Sequence, residues 1–153
     1  MKNLLISLIA ALVCFSGFAQ NSPATSGDDI IGTYQGTQEG EPFKTSVTKN
    51  NDGTYKAQVI WVKNDKDKDG KKRLDEKNPD KSLRNTPCDK IVLFDHLKYD
   101  ASRKQWGNTK IYDPTHGIKA NVVCHFGKDG SLNVKGSLMG LSQTVVWTKV
   151  KQD

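Results

Sequence analysis

The sequence predicts an all-β fold, a small antiparallel up-and-down β-barrel of about eight strands. Apolar and polar residues alternate along most of the chain, which is typical of strands with one buried face. Short Gly- and Asp-containing segments separate these runs, as hairpin turns do. Because closure of such a meander removes exposed sheet edges, we expect a barrel, with a two-sheet sandwich as the alternative.

The first residues have the pattern of a cleaved export signal. Lys2 precedes an apolar run over residues 4–15, and the small residues Gly17 and Ala19 suit a cleavage site. The run is shorter than the roughly 20 residues that cross a bilayer, and no later run approaches that length. We therefore expect residues 1–19 to be a signal peptide and the mature protein to be exported, periplasmic or secreted, without a membrane span.

Residues 20–29 are expected to form a flexible lead-in, and residues 30–153 a single barrel domain. The lead-in is rich in Ser, Gly, Pro and Asp and has no periodic apolar pattern, whereas the remainder has the size of one domain. Strands are predicted near residues 30–36, 43–49, 54–63, 90–99, 105–112, 118–126, 131–138 and 142–150.

The alternation also predicts which residues face inward. On the third strand these are Tyr55, Ala57, Val59 and Trp61, and on the sixth Ile118, Ala120, Val122, Cys124 and Phe126. The turn sequences Asn51-Asp52-Gly53 and Lys128-Asp129-Gly130 each lie between two strands, as in hairpins. Bulky inward residues such as Trp61, Phe126 and Trp147 predict a nearly filled core, since a barrel of about eight strands is just wide enough for side chains.

The charge of the chain gives weak information about partners. Lys and Arg number 23 against 17 Asp and Glu, so the chain is basic. The lysines are interleaved with Asp, Asn and Gly without aromatic spacing or a basic helix, so nucleic acid is not an expected partner. The charge suits a solvated surface, and it would also attract an anionic envelope polymer. We expect a monomer.

Two cysteines, Cys88 and Cys124, follow the predicted signal. In an oxidising compartment an even number of cysteines suggests a disulfide. The alternative is that both are small buried hydrophobic residues. We expect the bridge.

One connection between strands is long, from Lys63 to Asp89. Its first half fits the calcium-loop pattern D-x-[DN]-x-[DN]-G-x5-E, in which alternate carboxylates converge on the ion. The candidate ligands are Asp65, Asp67, Asp69, the carbonyl of Lys71, and Glu76. Neighbouring lysines oppose a divalent cation, and Asp-Gly is also ordinary turn chemistry. Calcium is therefore the candidate cofactor, and a solvated loop is the alternative.

The second half of this connection predicts a single helical turn. Asn78 suits the N-cap, Pro79 the first helical position, and Asp80 the positive end of the helix. Arg84 could then reach a carboxylate or carbonyl. We take Asn78, Asp80 and Arg84, together with Asp113, as candidate ligand-binding residues at a barrel mouth.

Several segments together resemble a bacterial exported family known as domain of unknown function 2147. They are Ile31-Gly32-Thr33-Tyr34, Val59-Ile60-Trp61-Val62, Lys77-Asn78-Pro79-Asp80 with Leu83-Arg84, Lys110-Ile111-Tyr112-Asp113-Pro114 with Gly117, Leu132 to Gly136, and Val146-Trp147-Thr148. The resemblance implies a lipocalin-like β-barrel and no particular activity. Gly32-Thr33-Tyr34 looks like the Gly-x-Trp entry of such barrels. The arginine that helps to close their bottom has no counterpart shortly before Trp147.

The sequence contains no recognisable catalytic motif. It lacks a Gly-x-Ser-x-Gly elbow, His-Glu-x-x-His, a phosphate-cradling glycine loop and Cys-x-x-Cys. We expect a non-enzymatic envelope protein that binds a small apolar or amphipathic ligand at the barrel mouth. The alternatives are an interaction module with a packed interior, and an enzyme that uses Asp80, Asp113 and Arg84 in acid–base chemistry.

Overall fold

The computed structural model describes residues 26–151, which form a closed antiparallel barrel of eight strands. The strands are β1 (Gly32–Gln38), β2 (Glu41–Lys49), β3 (Tyr55–Val62), β4 (Val92–Asp100), β5 (Gln105–Asp113), β6 (Ile118–Phe126), β7 (Leu132–Leu138) and β8 (Leu141–Lys149). Each strand pairs with its neighbours in sequence, and β1 pairs with β8. The predicted up-and-down barrel is confirmed. The predicted signal peptide, residues 1–19, lies outside the described residues.

The up-and-down order gives the barrel two different ends. The β1–β2, β3–β4, β5–β6 and β7–β8 connections lie at one end, which we name the mouth. The remaining turns lie at the other end, which we name the closed end. The β3–β4 connection, residues 63–91, is the long loop, whereas the other connections between described strands have two to five residues.

A short 3-10 helix, Gly27–Ile30, covers the closed end. Ser26 caps this helix in a capping box with Asp29, and the indole Nε1 of Trp106 donates to the carbonyl of Gly27 at 3.0 Å. Residues 26–29 were expected to belong to the flexible lead-in. In the structure they form this helix and its cap, in which the capping box satisfies the helix start and Trp106 binds the carbonyl of Gly27.

Tyr34 and Lys149 close the same end. The Tyr34 ring is buried, and its hydroxyl donates to the carbonyl of Ile30 at 2.8 Å. Lys149 Nζ lies 5.7 Å from the Tyr34 ring centroid and donates to the carbonyl of Asp29. A cation over an aromatic face is attracted by its quadrupole. In lipocalin-like barrels an arginine before the last tryptophan helps to close this end, and the sequence has no such arginine. Lys149 makes a closing contact here instead.

Two tryptophans fill the barrel interior. Trp147 stacks on Phe94 with ring centroids 6.1 Å apart, and it contacts the ring of Phe43 at nearly right angles. Nearer the closed end, Trp106 contacts Phe126 edge to face at 5.5 Å. These offset and edge-to-face arrangements are the favoured geometries of aromatic pairs. The prediction of a well-filled interior therefore holds for this part of the barrel.

Trp61 does not point inward as predicted. The β2–β3 register shifts after Lys44, which pairs with Trp61, so that Ile60 becomes the extra residue of a β-bulge. The bulge reverses the alternation of side chains along the end of β3. Trp61 is 44% exposed with Lys44 Nζ 5.6 Å from its ring centroid, while Val62 packs against the core instead. The predicted inward position of Trp61 is therefore wrong.

The predicted disulfide between Cys88 and Cys124 is not formed, and both cysteines are free. Cys124 is fully buried on β6, opposite Trp106 of β5. Cys88 lies in the long loop at the mouth, where its Sγ is 3.8 Å from the carbonyl oxygen of Asp65. The prediction is wrong because the fold places one thiol in the core and the other in the loop.

Candidate functional site

A cavity of about 720 Å³ lies at the mouth, within the range of roughly 300–1,000 Å³ typical of small-molecule sites. One wall is apolar and comes from β2, β3, β4 and Ile91, the last residue of the long loop. Its residues are Pro42, Phe43, Val59, Val62, Ile91 and Leu93. Phe43 contacts Trp147 at a centroid distance of 5.9 Å, so the cavity lies directly above the packed core.

The long loop lines another part of the cavity mostly with charged residues, together with Asn64, Leu74 and Cys88, and we name this part the charged wall. Its residues carry both signs of charge: Asp67, Lys71, Lys72, Arg73, Asp75, Glu76 and Lys77. Glu39 and Glu41, which belong to the β1–β2 turn, add acidic groups to the rim. A cavity lined in part by apolar and in part by charged residues suits a ligand that has an apolar part and a polar part.

A buried hydrogen-bond network fastens the long loop to β5. Asp75 is 3% exposed, and its carboxylate accepts from the Tyr112 hydroxyl at 2.6 Å and from Asn78 Nδ2 at 2.7 Å. Tyr112 follows Ile111, which packs against the core, so Tyr112 lies on the opposite face of the strand and is covered by the loop. Burial, and then the bond to Asp75, raises the pKa of Tyr112.

The long loop is also held by the β5–β6 turn. Lys77 Nζ donates to the carbonyl of Thr115 at 2.6 Å. Gly117 has φ 68°, and a Cβ at this position would overlap the Lys77 carbonyl, so only glycine allows so close an approach. The loop is thus fixed at two places beside the cavity.

A family model described as an uncharacterised protein conserved in bacteria, domain of unknown function 2147, matches residues 32–149. The chain belongs to this family. The solved structure of protein HP1028 from Helicobacter pylori, described as belonging to the lipocalin family, is similar, with 24% identity and a TM-score of 0.63. The similarity covers 79% of this chain and 82% of that one, and it shows the fold alone. No curated protein matches the chain.

Among residues 26–151 of this family member, no helix is long and apolar enough to span a membrane.

The acidic half of the long loop forms a small hairpin in this family member. Lys66 and Lys72 form an antiparallel bridge, and Asp67 Oδ1 accepts from the backbone N–H groups of Asp69 and Lys71, each at 2.9 Å. An Asp side chain that binds nearby backbone N–H groups is typical of tight turns. The Asp67 carboxylate therefore stabilises the turn of the hairpin.

Lys72 lies between two carboxylates. Its Nζ is 2.8 Å from Asp65 Oδ2 and 2.7 Å from Asp89 Oδ2. The hydrogen bond with Lys72 lowers the pKa of Asp65, and the bonds to Asp65 and Asp89 raise the pKa of Lys72. These contacts connect the hairpin to the end of the long loop.

The candidate calcium ligands are not brought together. Asp65 is paired with Lys72, and Asp67 caps the turn. The carbonyl of Lys71 accepts from the backbone N–H of Asp67 at 2.8 Å, and Asp69 donates its own backbone N–H to Asp67. Glu76 lies beyond the hairpin along the cavity wall. Over residues 26–151 there is no group of three or more His, Cys, Asp or Glu side chains that could hold a metal ion. Calcium binding remains a prediction of the sequence pattern.

Three of the four candidate ligand-binding residues stabilise the long loop itself. Asn78 is buried, its Oδ1 accepts from the backbone N–H of Asp80, and its carbonyl accepts from Arg84 Nε. The helical turn is Lys81–Leu83, and Asp80 is its N-cap through a bond from the backbone N–H of Ser82. The predicted turn is present, but it begins two residues later than expected, because Asp80 and not Asn78 caps it.

The fourth candidate, Asp113, belongs to the β5–β6 turn. Its Oδ1 accepts from the backbone N–H of Thr115, and its Oδ2 lies 2.7 Å from His116 Nδ1. His116 Nε2 lies 3.2 Å from Glu39, so the histidine links two turns at the mouth. The bond to Asp113, with a smaller contribution from Glu39, raises the pKa of His116. Asp113, like the other three candidates, is not among the residues that line the cavity.

Proposed function

We propose that this protein binds a small amphipathic ligand in the mouth cavity without catalysing a reaction. The observation that carries the proposal is the mixed lining of the cavity, apolar mainly where the strands form it and mostly charged where the long loop forms it. The apolar part of the ligand lies against residues such as Phe43, Ile91 and Leu93. Each Å² of apolar surface removed from water there contributes about 25 cal/mol.

The packed core limits where the ligand lies. Trp147 is buried between Phe94 and Phe43, and Phe43 also lines the cavity. The part of the barrel interior between this aromatic cluster and the closed end is therefore filled by side chains. The ligand stays at the mouth, with its polar end toward the long loop.

The attachment of the long loop supports binding by a preformed cavity. Asp75 is fixed by Tyr112, and Lys77 is fixed by Thr115, so the charged wall is ordered before a ligand arrives. A preformed site avoids much of the entropy cost of ordering a loop during binding.

The positions of the candidate acid–base residues support a non-enzymatic role. Asp80 caps the turn Lys81–Leu83, Asp113 binds within its own turn, and Arg84 donates to Asn78. Each group is thus engaged in local structure outside the cavity lining. The lipocalin-family description of the Helicobacter pylori protein is compatible with ligand binding by the shared fold. We place the protein outside the cytoplasm, periplasmic or secreted, because of the predicted signal peptide.

The proposal is tested by fluorescence titration with anilinonaphthalene sulfonate, an amphipathic probe. Val62 lines the cavity, whereas Val92 on the adjacent strand β4 is 40% exposed and does not. We expect Val62→Trp to fill the cavity and weaken probe binding by at least about tenfold, or 1.4 kcal/mol. The matched variant Val92→Trp should bind as the wild type does. Equal probe affinities of the two variants would contradict the proposal.

A natural ligand is sought by native mass spectrometry of the protein purified from the bacterial envelope. We expect a bound small molecule on the wild type and on Val92→Trp. Its loss from Val62→Trp would assign it to the cavity. Unfolding midpoints in urea, compared among the three proteins, show that the barrel itself is intact.

A further inference from the structure

We propose that the β7–β8 turn docks the barrel mouth onto an anionic lipid surface. The turn comprises Leu138-Met139-Gly140-Leu141, and we name it the apolar tip. Met139 is 93% exposed and Leu141 is 79% exposed, so neither side chain has a place in the core. The inference rests on the proposed function in one respect: the lipid surface is the source of the amphipathic ligand.

A second turn in the same barrel shows that the backbone does not require these apolar residues. The β1–β2 turn is Gln38-Glu39-Gly40-Glu41, with φ 48° at Glu39 and 82° at Gly40. The apolar tip has φ 49° at Met139 and 81° at Gly140. The flanking residues pair alike, Gln38 with Glu41 and Leu138 with Leu141. Two turns of one geometry at one end of the barrel thus carry opposite chemistry.

Methionine is also an unfavourable choice for this backbone. Two-residue hairpin turns with positive φ at both positions prefer Asn, Asp or Gly at the first. Met139 is unfavourable for its backbone conformation, and its side chain is too exposed to stabilise the fold by packing. Residues that break local conformational preferences without such a gain are concentrated at functional sites. We therefore infer that the side chain of Met139 contacts a partner that is not part of this chain.

The apolar tip belongs to a longer stretch without charge. Residues 138–148 contain no Asp, Glu, Lys or Arg, although 26% of the whole chain is charged. The tip can therefore enter an apolar medium without burying a charge, which would be costly.

Basic groups lie at the same end of the barrel. Asn121 of β6 and Ser137 of β7 form the strand pair nearest the mouth. Two residues farther toward the mouth, the chain reaches the exposed Lys119 on one side and Met139 on the other. The long loop, also at the mouth, has ten Lys and Arg against seven Asp and Glu over residues 63–90, a net charge of +3, which exceeds the two negative charges of Glu39 and Glu41 on the rim. Basic residues close to an anionic membrane are attracted to its surface.

A lipid surface fits the apolar tip better than a second copy of the chain does. β8 pairs with β1 only through Lys149 with Tyr34 and Thr148 with Gln35, so an edge pairing between two copies is the competing arrangement. The tip, however, is a two-residue turn with few apolar side chains, and a standard protein interface buries roughly 800 Å² per partner. A small apolar anchor joined to basic charge is the combination that holds peripheral proteins on anionic membranes.

The test is flotation of the whole protein with vesicles of phosphatidylethanolamine and phosphatidylglycerol, compared with vesicles of phosphatidylcholine alone. The variant Met139→Glu with Leu141→Glu copies the chemistry of the β1–β2 turn. The control variant Asn51→Glu with Ala101→Glu changes net charge equally at exposed turns of the closed end. We expect the tip variant to lose at least about tenfold in vesicle binding and the control variant to bind as the wild type does.

Wild-type protein that does not float with the anionic vesicles would overturn the inference, as would a tip variant that floats equally well. A third outcome is that the wild type does not float but self-associates in sedimentation without vesicles, and that the tip variant does not self-associate. This outcome would assign the tip to contact with a second copy of the chain and would also overturn the inference. Probe titration without vesicles reports on the cavity separately. A tip variant that keeps its probe affinity and loses flotation supports docking, and wild-type flotation without probe binding would reject only the proposed function.

Discussion

The hydroxyl of Tyr112 donates to the carboxylate of Asp75 at 2.6 Å, across 37 residues of sequence and in a buried position. This bond joins the long loop to the outer face of β5. It therefore determines the position of the charged wall of the cavity as well as the stability of the loop.

Replacement of Tyr112 by Phe should loosen the long loop. The substitution leaves the buried Asp75 with one partner fewer, which costs about 1–3 kcal/mol. We expect faster amide hydrogen exchange over residues 63–91 and a lower unfolding midpoint in urea.

The matched control is Tyr55→Phe at the closed end. The Tyr55 hydroxyl donates at 2.7 Å to Asp28, whose side chain is 51% exposed, so its loss leaves no buried carboxylate. We expect a smaller destabilisation, with exchange changed near residues 26–30. Equal exchange in the long loop of both variants would show that the Tyr112 bond does not hold it.

His116 should make the mouth sensitive to pH. Asp113 first, and then Glu39, raise its pKa above the usual 6.5, while Lys77 acts in the opposite direction. Because the folded-state pKa is raised, the stabilisation is fully present below about pH 6.5 and is lost as the pH rises through the folded-state pKa. A titration of the imidazole by NMR measures this value. Asp113→Asn should lower the pKa, and an unchanged pKa in this variant would contradict the assignment.

The two thiols should differ in reactivity. Burial raises the pKa of Cys124, which is enclosed in the core, and that of Cys88, which is partly buried. Because the thiolate is the reactive form, we expect slow reaction of Cys88 with a disulfide reagent and none of Cys124 until the protein unfolds. Intact mass should be the same with and without reductant. A gain of two hydrogens on reduction would contradict the free cysteines.

Lys72 should oppose calcium at the hairpin of the long loop. Its ammonium group occupies Asp65 and Asp89, so an ion would have to displace it. We expect no saturable heat from wild-type protein at about 1 mM calcium, and a stronger response from Lys72→Met, in which both carboxylates are released. The control is the variant in which Asp65, Asp67, Asp69 and Glu76 are all changed to Ala. Saturable heat of calcium binding by the wild type that is absent from this variant would contradict the prediction and support a calcium site in the hairpin.

The strands could be predicted wherever alternation runs between clear turns. β6 has its predicted bounds, 118–126, because its apolar pattern lies uninterrupted between Gly117 and Gly127. The pattern failed at Trp61, because the bulge at Ile60 depends on the register with β2 and leaves no mark in the sequence of β3. The capping box of Ser26 and Asp29, in contrast, is a local signal of a helix start, and the predicted lead-in over residues 20–29 did not take it into account.

The candidate site could be predicted only in outline. Connections as long as this one are usually either functional or disordered, and the long loop does form part of the cavity lining. Asp75 was missed because it lies in a charged stretch, and its burial depends on Tyr112 and on how the loop folds over β5. The calcium-loop pattern over residues 65–76 specifies only the spacing of the ligands along the chain. The ligands converge only if the backbone winds around the ion, and here the backbone forms a hairpin instead.

The positions of the first and last described residues have a practical consequence. The 3-10 helix enters β1 at the closed end, and β8 finishes there, with Lys149 paired to Tyr34. A tether or reporter joined next to residue 26 or residue 151 would therefore stand opposite the long loop. Immobilised in this way, the barrel would present its opening to the surrounding solution, whichever terminus carries the attachment.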